Sequence, residues 1–281
     1  MNIQWYPGHM TKARRTMQED IKLIDIVIEL VDARAPLSSK NPDIDDLAKN
    51  KFRLILLNKV DMADDQYTQA WENYFKDMGF FTARINAKTG AGMKQLTPLI
   101  QEVCREKLDR DKKRGILNRP IRAMIVGIPN VGKSTFINSF TKRTVTKVGN
   151  RPGVTKGKQW IRLNKSVELL DTPGILWPKF EDQQVGIRLA MIGSIREEIL
   201  NTGELALRII DFMKTNYRQL FENRYGIVMQ DKAADTLAQL AIARNCKLKG
   251  DALDYDKASM LLLEEFRNAK IGRITLERPD L

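Results

Sequence analysis

The chain has 281 residues, 43% hydrophobic and 29% charged, which gives apolar mass for one large soluble domain or two ordinary ones and excludes a disordered or fibrous protein. Its formal charge of +12 points to a polyanionic partner such as nucleic acid, and its two cysteines, Cys104 and Cys246, far apart and in no CxxC pattern, fit a reducing compartment and argue against a disulfide or zinc framework. The opening Met1-Asn2-Ile3-Gln4-Trp5 lacks a secretory pattern, and the longest apolar stretches, 26–31 and 54–57, are strand-length, so a cytoplasmic protein with no membrane partner is expected.

Four short apolar runs each end in a polar loop. In chain order, 26–31 precedes Asp32-Ala33-Arg34-Ala35-Pro36, 52–57 precedes Asn58-Lys59-Val60-Asp61, 121–126 precedes Gly127, and 167–170 precedes Asp171-Thr172-Pro173-Gly174. A weaker run, 80–85, precedes Asn86-Ala87-Lys88. Continuous rather than alternating apolar residues suit strands buried on both faces. Helix-compatible segments lie between them at 64–78, 92–106 and 133–141, and 107–120 has the charge, glycine and closing proline of a linker. This alternation predicts an α/β fold, a doubly wound and mostly parallel sheet with ligand loops at the C-terminal ends of its strands. Beyond about residue 179 the segments 204–220, 231–244 and 254–269 carry apolar residues at helical spacing with no comparable strand-like run. A second, smaller all-helical domain follows, with the division expected at 1–178 and 179–281.

The charge divides the same way. Residues 179–281 hold 16 basic and 16 acidic side chains, so the whole excess lies in 1–178, with 31 basic against 19 acidic. The stretch 107–165 carries 16 basic and 2 acidic residues, and 142–165 has eight basic and none acidic. So one-sided a run repels itself unless an anion lies against it. A bound nucleotide neutralises only a few such charges, which leaves RNA phosphates as the expected partner for the rest.

Gly127-Ile128-Pro129-Asn130-Val131-Gly132-Lys133-Ser134 matches GxxxxGK[ST] directly after a strand and before a helix, the context that makes this motif a phosphate loop. Its glycines let backbone N–H groups curl around phosphates, and the following helix N-terminus adds partial positive charge. Gly127, Asn130, Val131, Gly132, Lys133, Ser134 and Thr135 form the expected phosphate-binding set. Lys133 is placed to reach the β- and γ-phosphates and Ser134 to hold Mg²⁺. Asp171 supplies a carboxylate to the Mg²⁺ shell, and Gly174 an N–H that senses the γ-phosphate. Between them Arg151-Pro152-Gly153-Val154-Thr155 offers Thr155 as the threonine that closes on Mg²⁺ when the γ-phosphate is present.

At the base, the Asp61 carboxylate can accept from guanine N1–H and N2–H₂ together. Adenine has an acceptor at N1 and nothing at N2, so it leaves that carboxylate unpaired. Asn58 is expected to reach guanine N7 or to brace the loops, and the Lys59 stem to cover the base face. Asn86-Ala87-Lys88 places the Ala87 N–H for guanine O6, with Lys88 beside it. The ligand expected is therefore GTP or GDP with Mg²⁺. The order is unusual: the base motifs come before the phosphate motifs, as in a circularly permuted chain.

With Trp5-Tyr6-Pro7-Gly8-His9-Met10, Asp32-Ala33-Arg34-Ala35-Pro36, NKVD, GIPNVGKST, RPGVT and DTPG in this order, followed by a helical tail, nearly the whole chain resembles the circularly permuted GTPases of ribosome assembly, the YlqF family. The resemblance implies a factor that binds the maturing large ribosomal subunit, touching rRNA and ribosomal proteins, and whose GTP hydrolysis that subunit stimulates. It implies an rRNA contact by the helical tail, which at zero net charge would depend on local clusters such as Arg244, Lys247 and Lys249. Where many GTPases carry a water-orienting Gln after DxxG, this chain has Ile175, a substitution the resembled family shares. The same resemblance gives His9, the sole histidine, a catalytic role, alongside Lys133 and Thr155. In related GTPases an asparagine at the place of Asn130 helps hold K⁺ near the phosphates. The free protein is expected to be monomeric.

Three other readings compete. An ATP-using P-loop kinase is opposed by NKVD. A GTP-dependent RNA-binding scaffold with little catalysis is kept alive by Ile175. A permuted GTPase of the small subunit would carry Cys/His metal sites or an OB-type domain, and neither is visible.

Overall fold

The computed structural model describes residues 8–116, 119–141, 159–171, 176–177, 180–196, 198 and 200–279, with the backbone alone for residues 8–10, 13 and 171. Thr155, Gly174 and the Arg151-to-Val154 stretch lie outside the described residues. The described residues separate into two compact units: one is Glu181–Ile274, and the other takes those from Gly8 to Phe180 together with those from Thr275 onward.

The larger unit is built on a six-stranded sheet in the order β3-β2-β1-β4-β6-β5. The strands are β1 (Ile26–Asp32), β2 (Phe52–Asn58), β3 (Phe81–Ile85), β4 (Ile121–Val126), β5 (Gln159–Arg162) and β6 (Val167–Asp171). Every pair is parallel except β5 with β6. The apolar runs form the interior strands because both faces are covered: every residue of β1 is buried, as are Leu54 to Leu57 and Ala123 to Val126. β5 is an antiparallel edge strand. Gln159-Trp160-Ile161-Arg162 is too short and too polar to stand out, and Trp160 is 42% exposed with the Arg122 guanidinium over its ring.

This unit also holds α1 (Gly8–Asp20), α2 (Asp43–Leu47), α3 (Asp65–Asp77), α4 (Leu96–Val103), α5 (Arg105–Lys113) and α6 (Lys133–Thr141). α3 starts at Asp64, whose side chain accepts from Gln66 N. It buries Trp71 and Phe75 against Val31, Ile55, Leu57 and Ala63. One expectation is corrected. The first seven residues of the supposed linker 107–120 are helical: α5 has no buried residue, but Lys107 and Asp111 pair at 2.6 Å one turn apart. Gly8 to Met10 form the first turn of α1.

The smaller unit contains α7 (Gln183–Met191), α8 (Thr202–Asn216), α9 (Arg218–Tyr225), α10 (Ala233–Ala243) and α11 (Tyr255–Arg267). Asp182, Asn201 and Asp254 cap α7, α8 and α11 by accepting from main-chain N–H groups. Leu205, Ile209 and Ile210 of α8, Leu237 and Leu240 of α10, and Leu262 and Phe266 of α11 are buried. Arg224 of α9 forks onto Glu265 of α11 at 2.9 and 2.7 Å. The periodicity over 204–220 suggests one helix, but the chain breaks at Tyr217, where φ is −143°, and restarts as α9.

The last residues do not belong with the helices, as the division at 179–281 would have them. From Thr275 the chain rejoins the sheet-bearing unit. Asp64 N donates to Thr275 Oγ1, Leu276 N donates to Arg34 O at 2.7 Å, and the Trp71 indole donates to Glu277 O at 3.0 Å. The Glu277 carboxylate accepts from Leu37 N, from Ser38 N at 2.9 Å and from Ser38 Oγ at 2.6 Å. Arg278 lies over the Tyr67 ring. Three neighbouring donors that bond to one carboxylate hold a segment that no hydrophobic period announces. Glu277→Ala leaves those donors unpaired and should cost the sheet unit about 1–3 kcal/mol. The urea midpoint followed by tryptophan fluorescence checks this, since the four tryptophans all precede Phe180; an unchanged midpoint refutes it.

Candidate functional site

The parallel register brings the C-terminal ends of β3, β2, β1, β4 and β6 to one edge of the sheet, where four of the loops singled out by sequence emerge from the first four of these strands. β1 lies between β2 and β4, so the loop after β1 separates the loop that carries NKVD from the loop that carries the GK motif.

Side chains join these loops. Asn58 Nδ2 donates to Val131 O at 2.8 Å, and Asn58 Oδ1 accepts from Ala87 N at 3.0 Å. One buried amide therefore ties the NKVD loop to both the phosphate loop and the Asn86-Ala87-Lys88 loop. Of the two roles open to Asn58, the structure shows the bracing one. It also occupies the Ala87 N–H expected to face guanine O6. Lys88 N and Thr89 N donate to Asn86 Oδ1, which curls that loop into a tight turn while the Lys88 side chain stays exposed.

Lys59 sits in the left-handed region with φ 63° and sends its ammonium to Asn130 O at 2.8 Å and to Asp32 Oδ2 at 2.8 Å. Asp32 is wholly buried and also accepts from Arg34 Nε at 2.9 Å and Arg34 Nη2 at 2.8 Å. Burial alone would raise the Asp32 carboxyl, but the Arg34 and Lys59 cations overcome it and hold the carboxyl well below the usual carboxylate range. Burial pushes the Lys59 ammonium down, with the Asp32 charge pushing back. Asp61 stands exposed two residues on.

Two glycines of the phosphate loop are required by what surrounds them. At Gly127, φ is +152° and a Cβ would lie 2.7 Å from Leu30 O. At Gly132, φ is +105° and a Cβ would lie 2.5 Å from Asn58 Nδ2. Between them Asn130 takes φ 59°, while Ile128 and Val131 are buried. Lys133 opens α6 with its Nζ donating to Gly127 O and Ile128 O at 3.0 Å each. Ser134 and Thr135 follow in the first helical turn, half-buried. The backbone of Asp171 ends β6 beside Ile125 of β4, within reach of the same edge. A cradle that a Cβ would fill, a lysine folded into it and a helix N-terminus beyond it fit a polyphosphate.

Asp32 and Arg34 carry no assigned role in the sequence, although Asp32-Ala33-Arg34-Ala35-Pro36 follows a strand end as every other site loop does. Of the cluster named for RNA contact, Arg244 is already engaged, its guanidinium over the Tyr225 ring and bonded to Arg224 O at 2.8 Å. Lys247 pairs with Asp251 at 2.9 Å, an exposed pair of small strength, and Lys249 is exposed.

A parallel sheet with a GxxxxGKS loop bonded to an NKxD loop defines the class of P-loop GTPases. Residues 122–239 match the family model of the 50S ribosome-binding GTPases. Ribosome biogenesis GTPase A of Bacillus cereus is 50% identical over 281 residues, covering 100% of this chain and 95% of that protein. Two solved structures are similar, each with a TM-score of 0.69: YlqF from T. maritima with GNP bound, 30% identical over 96% of this chain and 99% of the other, and its GDP-bound counterpart, 28% identical over 94% and 99%. The chain belongs to the ribosome biogenesis GTPase A family.

Asn58→Ala leaves Val131 O and Ala87 N without their partner and releases both neighbouring loops. Each unpaired group costs about 1–3 kcal/mol. Fluorescent-GDP titration should show affinity reduced by at least about tenfold; binding at the parental level would show that the brace is dispensable.

Proposed function

We propose that this chain hydrolyses GTP in the cytoplasm while bound to the maturing large ribosomal subunit, and that turnover drives or checks a late assembly step. The observation that carries the nucleotide part is the bonding of the Asn58 and Lys59 side chains to Val131 O and Asn130 O, which makes a base loop and a phosphate loop into one site. The family name and the basic excess confined to residues 1–178 support the ribosomal partner, with rRNA phosphates facing the charge of 107–165. Ribosomal proteins join that interface, and the free protein is a monomer.

In this reading the Asp61 carboxylate accepts from guanine N1–H and N2–H₂, the Lys59 stem covers the base, and the Ala87 N–H is shared between Asn58 Oδ1 and guanine O6. Lys133 gives up its loop carbonyls for the β- and γ-phosphates. Mg²⁺ would be held by Ser134 and Thr155, with Asp171 in its shell; bound there, it offsets charge on the phosphate oxygens. Gly174 senses the γ-phosphate, and Asn130 helps hold K⁺. Ile175 can neither donate nor accept, so His9, placed by α1, or a group of the ribosomal partner orients the water. In this reading the chain is circularly permuted: its base strands β2 and β3 come before the phosphate strand β4, and the sheet order β3-β2-β1-β4 supports it.

Two experiments test this. Xanthine carries a carbonyl where guanine has its 2-amino group, so Asp61→Asn should weaken GDP by at least about 100-fold and favour XDP, the loss of two charge-assisted hydrogen bonds. Competition among GDP, XDP and ADP reads it, and retained guanine preference removes the base site from this loop. In a phosphate-release assay, turnover should rise with large subunits and not with small ones. It should be faster in KCl than in NaCl, and should collapse in His9→Ala while GDP affinity holds. Equal rates with either subunit would overturn the partner.

A further inference from the structure

We propose that Asp32 is a positioning residue for the guanine base: its carboxylate fixes the Lys59 ammonium against Asn130 O, so that Lys59 is already in place when the nucleotide arrives. The inference rests on the reading of Lys59 as the residue that covers the base.

The argument begins with the sheet. Asp32 is the last residue of β1 and is in register with Asn58, the first residue of NKVD. On its other side β1 pairs with β4, whose loop contains Asn130. Asp32 therefore emerges at the seam between the base loop and the phosphate loop, and no other strand end has both as neighbours.

The carboxylate is fully committed. Oδ1 accepts from Arg34 N at 3.1 Å and Arg34 Nε at 2.9 Å, and Oδ2 accepts from Arg34 Nη2 at 2.8 Å and Lys59 Nζ at 2.8 Å. Arg34 grips both oxygens, which fixes the direction in which Oδ2 presents its remaining lone pair. That direction is toward Lys59. A lysine side chain carries large rotamer entropy, and one held at its tip by two acceptors on different loops has lost it before any ligand binds.

Charge makes the arrangement sensitive. Two cations, Arg34 and Lys59, share one buried carboxylate, and the Lys59 side chain is only 21% exposed. An amide in place of the carboxylate leaves two like charges facing each other with little solvent between them, and Lys59 is the one free to move. Asp32 is shielded behind Arg34 and Lys59, wholly buried, and so would act on the base through Lys59.

The test is a double-mutant cycle on the full chain with Asp32→Asn, Lys59→Met and both together. GDP is one probe; inorganic tripolyphosphate, which has phosphates and no base, is the other. Asp32→Asn should weaken GDP by about ten- to hundredfold, change tripolyphosphate affinity by less than about twofold, and add nothing to Lys59→Met in the double variant. If Asp32→Asn does not fold by thermal melt, Asp32→Glu, which keeps the charge and moves it by one methylene, takes its place in the cycle with an intermediate loss expected. Multiplying effects, or a fall in tripolyphosphate affinity that tracks GDP, would overturn the proposal by assigning Asp32 to the phosphate loop or to the fold at large. Asp61→Asn is the control. If it shifts base preference while the cycle is multiplicative, only the role of Asp32 fails; if it leaves preference intact, the base site fails and this inference with it.

Discussion

Two hydrogen bonds hold the site together: those from the side chains of NKVD to the main-chain carbonyls of the phosphate loop. Asn58 reaches Val131 O and Lys59 reaches Asn130 O, each at 2.8 Å. Neither bond forms unless β2, β1 and β4 run parallel in register, because only then do their loops leave the same edge at the same height. The Asn58 bond does not tolerate a side chain at residue 132, where a Cβ would meet the Asn58 amide. The motifs are usually counted separately, one for phosphates and one for the base. Here they are joined through Asn58, since removing its amide would leave the buried Val131 carbonyl of the phosphate loop unpaired.

The same logic extends outward from the site. Asp32 supports Lys59, Arg34 orients Asp32, and the main-chain carbonyl of Arg34 accepts from Leu276 N near the end of the chain. Glu277 caps the loop 36–38 that follows. The helical unit is thus an insertion in the chain of the sheet unit, joined at Phe180 and again at Thr275. Tying both ends of a long segment adds only modest closure entropy per doubling of length, so the return is physically inexpensive.

Charge is divided between the two units in sequence. The segment 179–281 is neutral overall, while 1–178 carries the full excess of +12. Several cations of the helical unit are committed internally, Arg224 to Glu265 and Arg244 to the Tyr225 ring among them. Long-range attraction to a polyanion would therefore come from the nucleotide-bearing part of the chain.

What the sequence determined by itself was the local structure that carries a hydrophobic pattern. Apolar runs such as 26–31 and 121–126 became strands because burial on both faces needs unbroken hydrophobicity, and the motifs at their ends appeared as loops because strand–loop–helix spacing leaves no alternative. Elements without a hydrophobic period escaped it: the short edge strand β5, the charged helix α5 held by Lys107 with Asp111, and the break at Tyr217. Only tertiary structure decided that Asn58 braces loops, that the Ala87 N–H is engaged, that Asp32 bonds Lys59, and that Glu277 caps the loop at Leu37 and Ser38. Those roles depend on partners 27 to 240 residues away in sequence, and a hydrogen bond across such a distance leaves no periodic trace in the chain that makes it.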